Sequence, residues 1–232
     1  MTTNNLTTPT SQNTELTLKK TKALFELTDR LLAKMPRELM IPEDDSWMYE
    51  LWAWADEHNV PDLYWKSYNE EGGYWAGLPR DRSKLTNLTE LYLRGNQLTS
   101  LPPEIGKLTY LTTLDLWANQ LTCLPPEIGK LTNLTKLNLW DNQLTCLPPE
   151  IGKLTNLTTL DLWVNQLACL TESIGNLTNL TELDLSNNPL TSLPDFIGKL
   201  TNLPFLNLAG NQLTRSEKDK IKRLLPDCEV LF

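Results

Sequence analysis

The chain has 232 residues, 40% of them hydrophobic and 22% charged, with a formal net charge of −8. That is the balance of a soluble folded protein, and its sign disfavours nucleic acid and anionic membrane surfaces, both of which recruit Lys and Arg. No apolar run approaches the roughly 20 residues of a membrane helix, and the first 23 residues hold no apolar segment of a secretory leader.

Residues 1–14 are rich in Thr, Asn, Ser and Gln and are predicted to be disordered. A polar start of this kind is also found in bacterial secretion addresses. Residues 15–61 are predicted to form a helical N-terminal cap. Leu24, Leu27, Leu31 and Met35 share one face of a helix over Glu15–Met35. Asp44, Asp45 and Ser46 supply the cap and acidic first turn of a second helix, Trp47 to about His58. In that helix Trp47, Leu51, Trp54 and Ala55 form the apolar face, with Met48 and Trp52 beside it. His58 is the single histidine and has no Cys or second His nearby, which argues against a metal site.

From residue 85 the motif Leu-x-x-Leu-x-Leu-x-x-Asn begins at Leu88, Leu111, Leu134, Leu157, Leu180 and Leu203, at a constant interval of 23 residues. A fixed period of this length is the mark of a solenoid. Residues 85–213 are read as six repeats. Residues 62–84 are read as a degenerate first repeat, in which Trp65, Tyr68, Trp75 and Leu78 stand at the positions of Leu88, Leu91, Leu98 and Leu101. Residues 214–232 are read as a C-terminal cap: Thr214 and Glu217 have capping-box spacing, and Ile221, Leu224 and Leu225 mark the buried face of a short helix. Cys228–Phe232 can then add a last strand.

Alternation sends Leu91 and Leu93 inward and Tyr92 outward, so each unit contributes one short strand to a parallel sheet. Asn96, Asn119, Asn142, Asn165, Asn188 and Asn211 form a ladder able to satisfy backbone groups where the chain leaves the strand. Pro102-Pro103, Pro125-Pro126 and Pro148-Pro149 hold the return path extended. The fourth unit replaces this pair with Thr171-Glu172 and is expected to be less constrained there. Gly106, Gly129, Gly152, Gly175 and Gly198 are expected to turn the chain back with positive φ.

These residues carry a resemblance. The motif resembles that of the leucine-rich repeat family over residues 85–213, and its Leu-Pro-x-x-Ile-Gly-x-Leu segment is similar to that of bacterial and plant intracellular members and of animal Ras-associated scaffolds. The resemblance implies an α/β solenoid, a horseshoe with a parallel β-sheet on its concave face and helical caps at both ends. It also implies a cytoplasmic, monomeric, non-enzymatic signalling or scaffold module that binds a protein or peptide.

The outward strand positions carry the identity of the surface. Their first column reads Glu90, Thr113, Lys136, Thr159, Glu182, Phe205, and the next Tyr92, Asp115, Asn138, Asp161, Asp184, Asn207. The third reads Arg94, Trp117, Trp140, Trp163, Ser186, Ala209, and the last Gly95, Ala118, Asp141, Val164, Asn187, Gly210. Tryptophans on a solvent-facing sheet beside carboxylates suit a basic and apolar partner. The expected binding residues are Tyr92, Arg94, Asp115, Trp117, Asn138, Trp140, Asp161, Trp163 and Asp184. Two alternatives stand beside this: the tryptophans are a copied sheet-stabilising residue, or a platform for carbohydrate. A secreted bacterial effector acting on a host protein is a variant of the first reading. No catalytic constellation, Walker loop, metal-ligand set or cofactor motif is present in the sequence. Cys123, Cys146 and Cys169 share one column, at the repeat period and not at a zinc or disulfide spacing. They are read as copied small residues in a reducing compartment, with pairing or soft-metal binding as the alternative.

Overall fold

The computed structural model describes residues 45–69 and 72–232. The disordered stretch 1–14 and the helix Glu15–Met35 expected from sequence lie outside those residues, as do the side chains of Trp65, Tyr68 and Trp75.

Helix α1 (Ser46–Glu57) buries Met48, Leu51, Trp54 and Ala55. Met48 takes the place expected for Trp47 because steps of three and four from Met48 through Leu51 to Ala55 define the centre of the face. Trp47 and Trp52 pack at its edges, and the Trp52 indole N–H donates to the Pro79 carbonyl at 2.9 Å. Strands β1 (Tyr64–Asn69) and β2 (Gly72–Ala76) follow as an antiparallel pair. Helix α2 (Arg82–Thr86) opens on Asp81, whose side chain accepts from the Lys84 backbone N–H at 3.0 Å.

The span read as a degenerate repeat therefore has two halves. From Leu78 onward, Leu78 and Leu85 are buried, as are Leu101 and Leu108 a period later. Before Leu78 the chain forms the antiparallel hairpin of β1 and β2, whose second strand opens on Gly72-Gly73.

Strands β3 (Glu90–Tyr92), β4 (Thr113–Asp115), β5 (Lys136–Asn138), β6 (Thr159–Asp161), β7 (Glu182–Asp184), β8 (Phe205–Asn207) and β9 (Glu229–Leu231) lie side by side in sequence order as one seven-stranded parallel sheet. The register pairs each residue with the one a period on, as Leu114 with Leu137. The central Leu of β3 to β8 and the Leu two residues on are buried, and those of β4 to β6 are fully enclosed. The return path is a 3-10 turn in each of the first five units: Pro103–Lys107, Pro126–Lys130, Pro149–Lys153, Glu172–Asn176 and Asp195–Lys199. Thr171 precedes its turn with φ −68 and ψ 146, against −66 and 147 at Pro148. The missing proline thus leaves the folded path unchanged.

The conserved geometry of the turns corrects the glycine expectation. None of Gly106, Gly129, Gly152, Gly175 or Gly198 has positive φ. Each sits where a side chain would strike the neighbouring unit. Positive φ belongs instead to the residue just beyond the strand: Gly95, Ala118, Asp141, Val164, Asn187 and Gly210. Val164, at φ 53, is β-branched and 36% exposed, so it is strained without packing to compensate. Val164→Asn, matching Asn187 at φ 52, is expected to raise the unfolding free energy by about 1 kcal/mol. A urea midpoint at or below that of the parent contradicts this.

Helix α3 (Arg215–Leu224) closes the sheet's last repeat with Ile221 and Leu225 buried beneath it. The Thr214 side chain accepts from the Glu217 backbone N–H at 3.2 Å. The Glu217 carboxylate does not return to Thr214 as a full capping box would. It accepts from the Leu193 backbone N–H at 3.0 Å and pairs with Lys220 at 2.7 Å. Lys220 also donates to the Leu193 carbonyl at 2.9 Å and so ties the helix to the repeat before it.

Candidate functional site

The outward face of β3 to β8 gathers the expected binding residues. Trp117 and Trp140 stack with centroids 4.5 Å apart and planes at 9°, and Trp140 and Trp163 at 4.6 Å and 15°. The spacing is that of adjacent strands. It follows that the rings cover one another's faces, and all three tryptophans are half-buried. Trp140 thus has a ring on both faces, and Trp163 on one.

The Asp/Asn column has a role the sequence reading missed. Asp115, Asn138, Asp161, Asp184 and Asn207 each turn Oδ1 onto the backbone N–H two residues on, at 3.2, 3.0, 3.0, 2.8 and 3.2 Å. This acceptor stabilises the left-handed turn after each strand. Either residue type serves, and the restriction of the column to Asp and Asn after Tyr92 was the signal. Charge at these positions is therefore free for a second use.

Asp115 spends its charge inside the molecule. Arg94 Nε donates to Asp115 Oδ2 at 2.7 Å and its Nη2 pairs with the same oxygen. The guanidinium lies over Tyr92 at 5.4 Å and near the face of Trp117 at 5.7 Å. Tyr92 donates to Glu90 Oε2 at 3.0 Å, and burial followed by that bond pushes its hydroxyl up to about 12. Arg94, Asp115 and Tyr92 are thus connected in one cluster, with Asp115 only 3% exposed.

Asp161 and Asp184 differ. They stand opposite one another on β6 and β7, and among the described residues no basic side chain reaches either. Burial first, then the charges of Asp184, Asp115 and Glu182, raises the Asp161 carboxyl above the usual carboxylate range. A raised folded value means that stability is full below the unfolded value of 3.8 and is lost as pH rises through the folded one. Asp161→Asn keeps the turn acceptor, as Asn138 shows at 3.0 Å. It is expected to stabilise the fold by about 0.2–1 kcal/mol at neutral pH, the scale of a cross-strand charge pair. The gain should vanish under acid, where the carboxyl is neutral, and a gain independent of pH contradicts the cause given.

Two open hollows lie on this face. One, of about 270 Å³, is bordered by Tyr92, Arg94, Asp115, Lys136, Asn138 and Asp161. The other, of about 530 Å³, is bordered by Asp161, Glu182, Asp184, Pro204, Phe205 and Asn207. Cys123, Cys146 and Cys169 are exposed free thiols. No group of three His, Cys, Asp or Glu among the described residues is arranged to hold a metal. No helix among them is long and apolar enough to cross a membrane.

Family models for a leucine-rich repeat region and for two copies of leucine-rich repeats match residues 135–225 and 86–127. The chain is a leucine-rich repeat protein. Among solved structures, a leucine-rich repeat protein of Leptospira interrogans is 31% identical, with a TM-score of 0.34 and coverage of 62% of this chain and 54% of that one. The leucine-rich repeat ectodomain of the plant membrane receptor kinase GASSHO1/SCHENGEN3 from Arabidopsis thaliana, solved in complex with CASPARIAN STRIP INTEGRITY FACTOR 2, is 34% identical, with a TM-score of 0.53. That match covers 63% of this leucine-rich repeat chain and 18% of the ectodomain. The chain spans about half the length of the Leptospira protein. No curated protein matches the chain.

Proposed function

We propose that this leucine-rich repeat protein is a non-enzymatic module that binds a protein or peptide segment with basic and apolar side chains along the outer face of β4 to β8. Leucine-rich repeat domains generally mediate protein–protein interaction, and the plant ectodomain was solved in complex with CASPARIAN STRIP INTEGRITY FACTOR 2. The observation that carries the reading is the unbalanced pair Asp161 and Asp184, beside a tryptophan row and the 41% exposed Phe205. Stacking covers both faces of Trp140 and leaves Trp163 with a ring on one side only, a smaller platform than open rings would offer a sugar, which supports a partner with apolar side chains. The exposed thiols of Cys123, Cys146 and Cys169 suit a reducing, cytoplasmic setting.

A random dodecapeptide library displayed on phage tests the reading. Trp140 is stacked on both sides, so its loss removes two aromatic pairs of about 0.5–1.5 kcal/mol each. Trp163 has one such neighbour and is the cleaner probe. Selected peptides are expected to lose tenfold or more in affinity for Trp163→Ala and to keep it for Lys130→Ala on the return path. Peptides indifferent to Trp163→Ala, or failure to select any, overturn it.

A further inference from the structure

The two hollows differ in charge although they lie on one sheet face. The first has Asp115 and Asp161 facing Arg94 and Lys136, two carboxylates against two cations. The second has Asp161, Glu182 and Asp184 and no Lys or Arg on its border. Glu182 accepts from the Thr159 hydroxyl at 3.2 Å. Asp184 Oδ1 accepts from the Ser186 hydroxyl at 2.5 Å as well as from its N–H, and Oδ2 accepts from the Asn207 side chain at 3.1 Å. All of these donors are neutral. Register places Asp161 and Asp184 one strand apart, about 4.8 Å, and like charges held so closely favour a cation between them.

We propose that the second hollow receives an arginine side chain of the partner. This rests on the reading of the sheet face as a protein-binding surface and names the group it recognises. The chain itself holds an arginine in this manner in the first hollow. Arg94 uses one carboxylate for two contacts and sets its guanidinium carbon over the Tyr92 ring. The second hollow offers the same two elements: carboxylates whose second oxygens are not engaged by any cation, and an exposed aromatic ring in Phe205. A guanidinium meets both, being planar, weakly hydrated and able to bridge two carboxylates while stacking on a ring. An ammonium would satisfy the charge but not the plane. A bound arginine would also offset the repulsion from Asp184 and Glu182 that, after burial, adds to the rise of the Asp161 carboxyl.

The probe is N-acetyl-arginine amide, titrated into the 15N-labelled chain. N-acetyl-citrulline amide serves as the neutral isostere, and N-acetyl-lysine amide and calcium chloride as alternative cations. The variant is Asp161→Asn with Asp184→Asn. Both asparagines keep the turn acceptor, as Asn138 and Asn207 do at 3.0 and 3.2 Å, so the fold is retained. Saturable shifts at the amides of Asp161, Asp184 and Phe205 are expected with arginine. They should be at least tenfold weaker with citrulline and lysine, and absent in the double variant. No saturation, equal response to citrulline or lysine, saturation by calcium instead, or persistence in the double variant overturns the proposal. Phage-selected peptides separate the two readings. Peptides that need Trp163 but bind the double variant unchanged overturn the arginine site and leave the binding face standing. Peptides carrying arginine that lose tenfold or more with the double variant support both.

Discussion

Gly152→Ala is expected to destabilise the solenoid by about 1–3 kcal/mol, the cost of overpacking a closed site. An added Cβ would lie 2.6 Å from the Ser173 carbonyl oxygen and 2.7 Å from its Cβ. Neither atom can swing aside, because both belong to the main frame of the next turn. Gly106, Gly129 and Gly175 meet Glu127, Glu150 and Phe196 in the same way, at 2.6, 2.7 and 2.5 Å. The return path can relieve the clash only by separating two turns whose strands stay in register, which wedges the stack open on one side. Alanine also reduces the freedom of the unfolded chain, a gain of about 0.4–1 kcal/mol, and the clash outweighs it. The control is Gly198→Ala, whose nearest neighbour is the Leu224 carbonyl oxygen at 3.0 Å, with a flexible Leu224 methyl at 3.5 Å. It should cost less than half as much. Urea denaturation followed by circular dichroism checks both. A midpoint unchanged by Gly152→Ala, or a larger loss from Gly198→Ala, contradicts the account. A broadened transition at residue 152 fits it, since a repeat array can separate at a weakened junction.

These glycines show where reading the chain succeeds and where it stops. A glycine at a fixed place says that no side chain fits, and either positive φ or crowding can be the reason. The period alone does not choose between them. In the fold it is crowding at Gly152, positive φ at Gly95, and both at Gly210, where an added Cβ would also strike Asn187 Oδ1. The Leu core was legible because its two periodicities, 23 residues along the chain and two along the strand, both point to the same inward residues. The hairpin of β1 and β2 was not, because the shift by one period matched residues on both sides of Leu78, and only those from Leu78 onward keep the repeat's path. In the candidate site the Trp stack followed from column and spacing together. That adjacent strands at this distance force the rings to cover each other was a consequence left undrawn. The capping role of the Asp/Asn column needs the turn geometry, since an acceptor two residues before a backbone N–H is useful only where φ becomes positive. Once that role is known, the charged members stand apart from the neutral ones. Asp115 has Arg94, whereas Asp161 and Asp184 have none among the described residues.

Asn142 offers a test of the ladder in which the size of the loss decides the mechanism. Its Oδ1 accepts from the Leu121 backbone N–H at 3.1 Å, and its Nδ2 donates to the carbonyls of Leu116 and Leu139 at 3.0 Å each. The carbonyls are shared. Asn119 also donates to Leu116 at 2.8 Å, and Asn165 to Leu139 at 2.9 Å. Asn142→Ala therefore orphans one buried donor, the Leu121 N–H, and not three groups. The expected loss is about 1–3 kcal/mol, that of a single unsatisfied buried group. Asn142→Asp is expected to be worse, by several kcal/mol, despite keeping an acceptor for Leu121. It turns the donating side of the amide into a carboxylate oxygen facing two carbonyl oxygens, in a residue only 6% exposed. The carboxyl should then hold its proton to unusually high pH, because only the protonated form can donate to Leu116 or Leu139. Its folded pKa lies above the unfolded one, so stability is full below the unfolded value and is lost as pH rises through the folded value. The deficit of Asn142→Asp should accordingly shrink in acid, while that of Asn142→Ala should be flat across the same range. Urea midpoints of the two variants from neutral to acidic pH decide it. Equal losses, or a deficit for Asn142→Asp that does not narrow in acid, would show that the donated bonds do not hold the ladder.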